Sequence, residues 1–322
     1  MKTWQWVGTG IAAFAVTVSL INASWIAPRL KGPLILVAHR GIAQQIRHGG
    51  IDDRTCTATR MLPSEHDFID NTLRSFSNAR HFGADAIALE VHPTKDRQTV
   101  AFHDWTVDCR TDGHGAVRDL TLAELKKLDV GYGYTPDRGK TWPLRARGVG
   151  GMPTVEEVLR EVPNMRLIFH FKSKDPADAD ALLAALRRGG AAIDGRFGFY
   201  GDPAVVRRVK QLAPGAWAFS VKDTKACLTD YVKLGWTSWV PQSCRNTTVM
   251  VPLNYQWAIW GWPKRFLARM EGAGTKVILT GDYEKGGALG LTSPEQLQDV
   301  PRDFRGYLWI EDFYAVGRAL EN

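Results

Sequence analysis

Short runs of apolar and β-branched residues alternate along this chain with amphipathic stretches, and that alternation limits the possible folds more than any other feature. The strand candidates are Leu34 to Ala38, Ala86 to Val91, Arg166 to Phe171, Phe197 to Tyr200, Ala216 to Val221, Thr248 to Val251, Lys276 to Thr280 and Tyr307 to Ile310. Between them, stretches such as Thr72 to Phe82, Ala177 to Arg188, Pro203 to Leu212, Tyr255 to Glu271 and Asp312 to Leu320 carry apolar residues three and four positions apart, the period of a helix with one buried face. This is the pattern of βα units around a parallel sheet, and eight such units predict a closed (β/α)8 barrel of the TIM type. A chain of 322 residues, 44% hydrophobic and 23% charged, has the length for that core, and its composition excludes a disordered, collagenous or coiled-coil protein.

Ahead of the first strand, no residue from Thr3 to Pro28 is charged, and Trp6 to Ala27 is long enough to cross a bilayer as a helix. Trp4, Trp6 and Trp25 stand where an aromatic belt would hold the two interfaces, with Lys2 before the segment and Arg29 and Lys31 after it. The competing reading is a cleaved signal peptide, which would leave a secreted body. The Ala-x-Ala type of cleavage site is poorly matched around Ile21-Asn22-Ala23, which favours an uncleaved anchor. Residues 1–29 are therefore expected to form a membrane anchor and residues 30–322 the barrel. Flanking charge does not orient the anchor, but the cysteines do. Cys56, Cys109, Cys227 and Cys244 are an even set without metal or redox spacing, which suits two disulfides and an extracytoplasmic body such as one in a bacterial periplasm. Of the three possible pairings, Cys56 with Cys109 and Cys227 with Cys244 is favoured, because each pair lies in loops near one another in sequence.

In a barrel of this type, reacting groups sit at the C-terminal ends of the strands and in the loops that follow. His39-Arg40-Gly41 closes the first strand with a proton carrier, a planar cation and a flexible turn. Glu90 and His92 share a face at the end of the second strand, His103 follows soon after, and His170 and Lys172 share a face on the third. Together these residues read as a phosphate site. His48, His66, His81 and His114 lack such placement and are expected in loops or at the surface. Two loops, Gly41 to Asp70 and Asp104 to Met152, have the length of functional loops.

An ordered set of motifs runs through residues 34 to 172: Ala38-His39-Arg40-Gly41, Asp70-Asn71-Thr72-Leu73, Gly83-Ala84-Asp85, Glu90-Val91-His92-Pro93-Thr94-Lys95-Asp96, Phe102-His103-Asp104, Arg110-Thr111-Asp112-Gly113, Leu120 to Leu125 and Met152-Pro153-Thr154. The set resembles the glycerophosphodiester phosphodiesterase family, barrels that hydrolyse phosphodiesters of glycerol with a divalent metal. From residue 173 onward the similarity is the alternation of strand and helix, with a final signature at Trp309 to Ala319. The resemblance implies His39 and His103 as the acid and base pair, Arg40 as the phosphate-binding arginine with Lys172 as a second cation, and a small phosphodiester as substrate.

The metal site departs from the family. Its Glu-x-Asp pair on the second strand aligns with Ala88 and Glu90, its third-strand carboxylate with His170, and its Glu-Asn-Thr with Asp70-Asn71-Thr72. The resemblance implies Mg²⁺ or Ca²⁺, whereas Glu90 with His170 and His92 would instead suit Zn²⁺ or another transition metal such as Mn²⁺. Two rivals follow: a catalytically silent barrel that binds phosphodiesters or lipid, and a transfer to a neighbouring hydroxyl that releases a cyclic phosphate, as in the related phospholipase D toxins. The formal charge of +7 favours anionic partners, but it is spread along the chain without the basic stripe that nucleic acid requires. Twelve tryptophans are unusual, and three of them, Trp257, Trp260 and Trp262, fall in a tract read as helix core or as a membrane-facing surface.

Overall fold

The computed structural model describes residues 2–48, 55–284 and 287–321, so part of the first long loop, 49–54, lies outside the described residues. Eight parallel strands form the body: β1 (Leu34–His39), β2 (Ala86–Pro93), β3 (Arg166–Phe171), β4 (Phe197–Gly201), β5 (Trp217–Ser220), β6 (Thr248–Pro252), β7 (Lys276–Thr280) and β8 (Gly306–Ile310). They pair in the order β5-β4-β3-β2-β1-β8-β7-β6. The first and last strands are thus neighbours, in a register from Leu34 opposite Gly306 to Ala38 opposite Ile310. The result is a nearly closed TIM-type barrel. No ladder joins β5 to β6 among the described residues, and there Trp217 Nε1 donates to Thr248 Oγ1 at 2.8 Å. All eight expected strands are present.

The helices are α1 (Lys2–Asn22), α2 (Leu73–His81), α3 (Leu122–Leu125), α4 (Val155–Glu161), α5 (Ala177–Arg188), α6 (Pro203–Leu212), α7 (Val221–Leu234), α8 (Lys264–Gly272) and α9 (Phe313–Glu321). Several start where a short polar side chain satisfies the exposed N–H groups of the first turn. Thr154 and Ser220 form reciprocal capping boxes with Glu157 and Asp223, and Asp202 accepts from the Ala204 N–H ahead of a well-placed Pro203. The Ser220 box explains one correction. Val221, expected as strand, opens α7, because the capped Ser220 turns the chain into a helix.

A second correction concerns Tyr255 to Glu271. Leu253–Ala258 is a short 3-10 turn, and the α-helix begins only at Lys264. Gly261 at φ 78° and the pyrrolidine of Pro263 interrupt any earlier helix. The two long loops carry a small core of their own, in which Met61, Ile69, Phe102, Val107, Tyr134 and Met152 pack together. Inside it the buried Asp129 carboxylate accepts the backbone N–H groups of Gly131, Ala146 and Gly148.

Both disulfides have the expected connectivity, Cys56 with Cys109 and Cys227 with Cys244. Cys227, however, lies within α7 and not in a loop. The apolar α1 is long enough to cross a membrane over Trp4–Asn22, and none of that window is buried against the body.

Candidate active site

β1 ends in a turn whose geometry only glycine permits. Gly41 has φ 75°, and a Cβ there would collide with Ser75 at the start of α2. Arg40 is itself left-handed at φ 64°, held by its N–H to Ala88 O at 2.6 Å and by Asn71 N–H and Ser75 Oγ on its own carbonyl. That strained backbone aims the guanidinium across the end of the barrel, where its Nε lies 3.2 Å from Glu90 Oε1 and its Nη2 3.7 Å from Glu311.

His39 stands between the same two carboxylates, with Nδ1 2.7 Å from Glu311 Oε2 and Nε2 3.2 Å from Glu90 Oε1. Burial disfavours charge on this imidazole, but Glu311 and Glu90 together outweigh burial and raise its pKa to about 9. Burial acts on Glu311 as well, yet His39 and Arg40 hold its carboxyl down at about 2. The Trp309 ring packs 5.3 Å from His39.

His103 is brought to the same mouth by a short strand, Thr99–Ala101, that folds back antiparallel on β2. Its Nδ1 lies 2.5 Å from Asp104 Oδ1, and Asp104 in turn accepts from Arg110 Nε at 3.0 Å. Burial, together with the positive charge of Arg40, pushes His103 down to about 4. Its neighbour Asp104 is held below the usual carboxylate range against its burial by Arg110. With the Nδ1–H on Asp104, Nε2 carries the lone pair.

The expected metal ligands do not converge. Among the described residues, no group of three His, Cys, Asp or Glu side chains is placed to hold a metal ion. Glu90, the direct match, spends Oε1 on Arg40 and His39 and Oε2 on Asn71 Nδ2 at 2.9 Å. Asp70 is already engaged, because its Oδ1 accepts from Arg110 Nη1 at 2.9 Å and from the Tyr134 hydroxyl. His170 lies opposite Glu90 in the β2–β3 register and stacks flat on Tyr200, with centroids 4.2 Å apart and burial lowering its pKa to about 3. His92 turns edge-on to Trp105 at 5.6 Å. Asp70 and His170 are thus engaged with other side chains, and Glu90 is a counter-ion to Arg40 and His39. Oxygen ligands that already accept from buried cations do not fit a hard divalent ion, and Ala88 supplies none.

Lys172 is half-buried near His92 and His170, and its charge lowers the pKa of both. Beside Arg40 and Glu311 lies a cavity of about 180 Å³, reached by His48 and Gln45 from the first long loop. His48 and His66 are half-buried, His66 packing on Phe68 and Tyr314, whereas His81 and His114 are exposed as expected.

Sequence reasoning missed Glu311 as a partner of His39. Its signal is positional: a carboxylate one residue beyond the eighth strand, beside Trp309. It also left Asn71, Arg110 and Tyr134 without roles, since Asn71 acts through Glu90 on β2 and the other two through Asp70 across the two long loops.

Residues 39–189 match the Glycerophosphoryl diester phosphodiesterase family. A glycerophosphodiester phosphodiesterase of Caldanaerobacter subterraneus is 52% identical over 62 residues, 19% of this chain and 26% of that one. The chain spans between about a quarter and a half of the length of the first curated relatives it matches. Two solved structures share the fold. The glycerophosphoryl diester phosphodiesterase domain of an uncharacterized Mycobacterium tuberculosis protein has TM-score 0.64 and 18% identity, over 91% of this chain and all of that one. An Oleispira antarctica phosphodiesterase in complex with the product sn-glycerol-3-phosphate has TM-score 0.58 and 16% identity, over 93% and 100% of the two chains.

Proposed function

We propose that this chain, whose residues 39–189 match the glycerophosphoryl diester phosphodiesterase family, hydrolyses glycerophosphodiesters to an alcohol and glycerol phosphate, with His103 as base and His39 as acid. What supports this reading is the difference in the partners of the two imidazoles, Glu90 and Glu311 on His39 against an Asp104 already engaged by Arg110 on His103, which raises the one to about 9 while burial lowers the other to about 4. At neutral pH one then holds a proton to give and the other a lone pair to accept one.

In this mechanism His103 Nε2 takes a proton from water as its oxygen attacks phosphorus. Asp104, fixed by Arg110, holds the ring and stabilises the imidazolium that forms. The outer face of the Arg40 guanidinium, with Lys172, takes charge from the equatorial oxygens. As the ester bond breaks, His39 Nε2 gives its proton to the departing alkoxide, exchanging its longer contact to Glu90 for the leaving oxygen. Glu311, on the shorter contact, keeps the ring oriented. The resemblance implies a divalent metal ion, but the side chains present here do not fit one, and no step is assigned to it.

The segment 1–29 is proposed as a membrane anchor and 30–322 as the body, placed outside the cytoplasm where two disulfides persist. Lipid-derived phosphodiesters are then the substrates within reach. The test is to incubate the full chain in detergent with a mixture of glycerophosphodiesters, with chelator and with added Mg²⁺, Ca²⁺, Mn²⁺ or Zn²⁺, and to follow products by phosphorus NMR. Glycerol phosphate release that disappears in His39→Ala supports hydrolysis. A cyclic phosphate in its place assigns transfer to a neighbouring hydroxyl, and no turnover by folded, oxidised protein assigns a binding barrel.

A further inference from the structure

The end of α1 is clamped to the body by one side chain. Arg269 of α8 donates through Nη2 to Ile21 O at 2.8 Å and Ser238 Oγ at 2.7 Å, and through Nη1 to Asn22 Oδ1 at 3.0 Å and Gly235 O at 3.0 Å. The carbonyls left open at the helix end are thereby tied to the corner that follows α7, Gly235 to Trp239. Asn22 Nδ2 completes the clamp by donating to Trp236 O at 2.9 Å.

The Trp236 backbone therefore lies level with the last residue of α1. Its ring lies elsewhere, edge-on to Phe14 with centroids 5.8 Å apart. Phe14 is eight residues before Asn22, about 12 Å along the helix axis at the α-helical rise. The apolar window of 19 residues is only about 28 Å long by the same rise, just the hydrocarbon thickness of a bilayer, so it has no length to spare outside the membrane.

We infer that the Gly235 to Trp239 corner, with the neighbouring exposed side chains Val232, Leu234 and Trp260, is a membrane-facing surface that sits in the lipid interface beside α1. Trp239 is 53% exposed on this corner, and Trp260 is tied to it through its Nε1 on Val232 O at 2.9 Å. Tryptophan, with an apolar ring and one polar N–H, suits that layer. The docked corner would hold the barrel at a fixed angle to the bilayer, where a tether alone would let it tumble. This inference rests on the proposed anchoring of α1.

The test uses the full chain in phosphatidylcholine vesicles whose acyl chains carry bromine near the headgroup, a quencher of tryptophan within the interface. The expected result is that Trp239→Phe lowers the quenched share of the emission by one tryptophan's contribution. Trp142→Phe, in a loop where the ring stacks on Arg145 at 3.9 Å, is expected to raise that share by removing an unquenched emitter. A chain that floats with the vesicles while Trp239→Phe raises the quenched share overturns this inference and leaves the anchor standing. A chain that does not float overturns both. A dimer in detergent that Trp239→Glu converts to monomer assigns the surface to a second copy of the chain and also overturns it.

Discussion

Around His39, Glu90 and Glu311 approach the two ring nitrogens with only Arg40 between them, whereas the carboxylate in contact with His103, Asp104, is already engaged by Arg110. The same side chain is therefore held at opposite protonation states within one barrel mouth. The difference lies in which elements meet there. His39 receives its charge partners from the ends of β2 and β8, and His103 from a loop stapled to another loop. An imidazole's role is thus set by the net charge of its neighbours more than by the residue type.

The widest test of this contrast removes either ring. His39→Ala and His103→Ala are each expected to lower kcat/KM for a glycerophosphodiester by about 10²–10⁴-fold, the usual worth of one positioned proton-transfer group, with unchanged circular dichroism. Equal losses in the two variants and no greater loss in the double variant would mark them as one acid and base unit.

Next in size is the support of His103. Arg110→Met leaves Asp70 and Asp104 buried without their cation and is expected to cost about 3–5 kcal/mol of stability, read from denaturant unfolding. Opening the neighbouring staple, with Cys56→Ser and Cys109→Ser together, is expected to cost about 4 kcal/mol for a loop closed across 53 residues. The same change at Cys227 and Cys244 is expected to cost about 3 kcal/mol for a separation of 17. A larger loss for the shorter loop would break this ranking.

The finest test is the pH profile. Activity that needs His103 neutral and His39 charged rises through about 4 and falls through about 9. Glu311→Gln removes the charge that lifts His39, so the alkaline limb moves down toward 6.5 while the acid limb stays. An alkaline limb that stays near 9 in this variant would separate Glu311 from the role given to it. Stability carries the same signs. The His39 contribution is complete below 6.5 and fades as pH rises through about 9, and the Glu311 contribution is complete above 4.5 and fades as pH falls through about 2.

The sequence made the barrel legible because each strand is a short apolar run bounded by polar residues, and a period of two or four survives without knowledge of neighbours. His39, Arg40 and His103 were legible for a related reason: strand ends converge in any such barrel. The fate of Glu90 and Asp70 was not. A carboxylate's partners come from other elements, and Arg110 reaches Asp70 across 40 residues of chain. The helix at Val221 was hidden by a different competition, in which an apolar run reading as strand is ended by the capping serine inside it. At Tyr255 to Pro263 the helical spacing was real, but glycine and proline overrode it.

β1 and β8 pair although 272 residues separate His39 from Glu311. On the ribosome, His39 emerges 272 residues ahead of Glu311, so this charged pair cannot exist in any shorter product. Docking of β8 beside β1 brings Glu311 to the ring, and the chain carries no armed acid before its barrel closes.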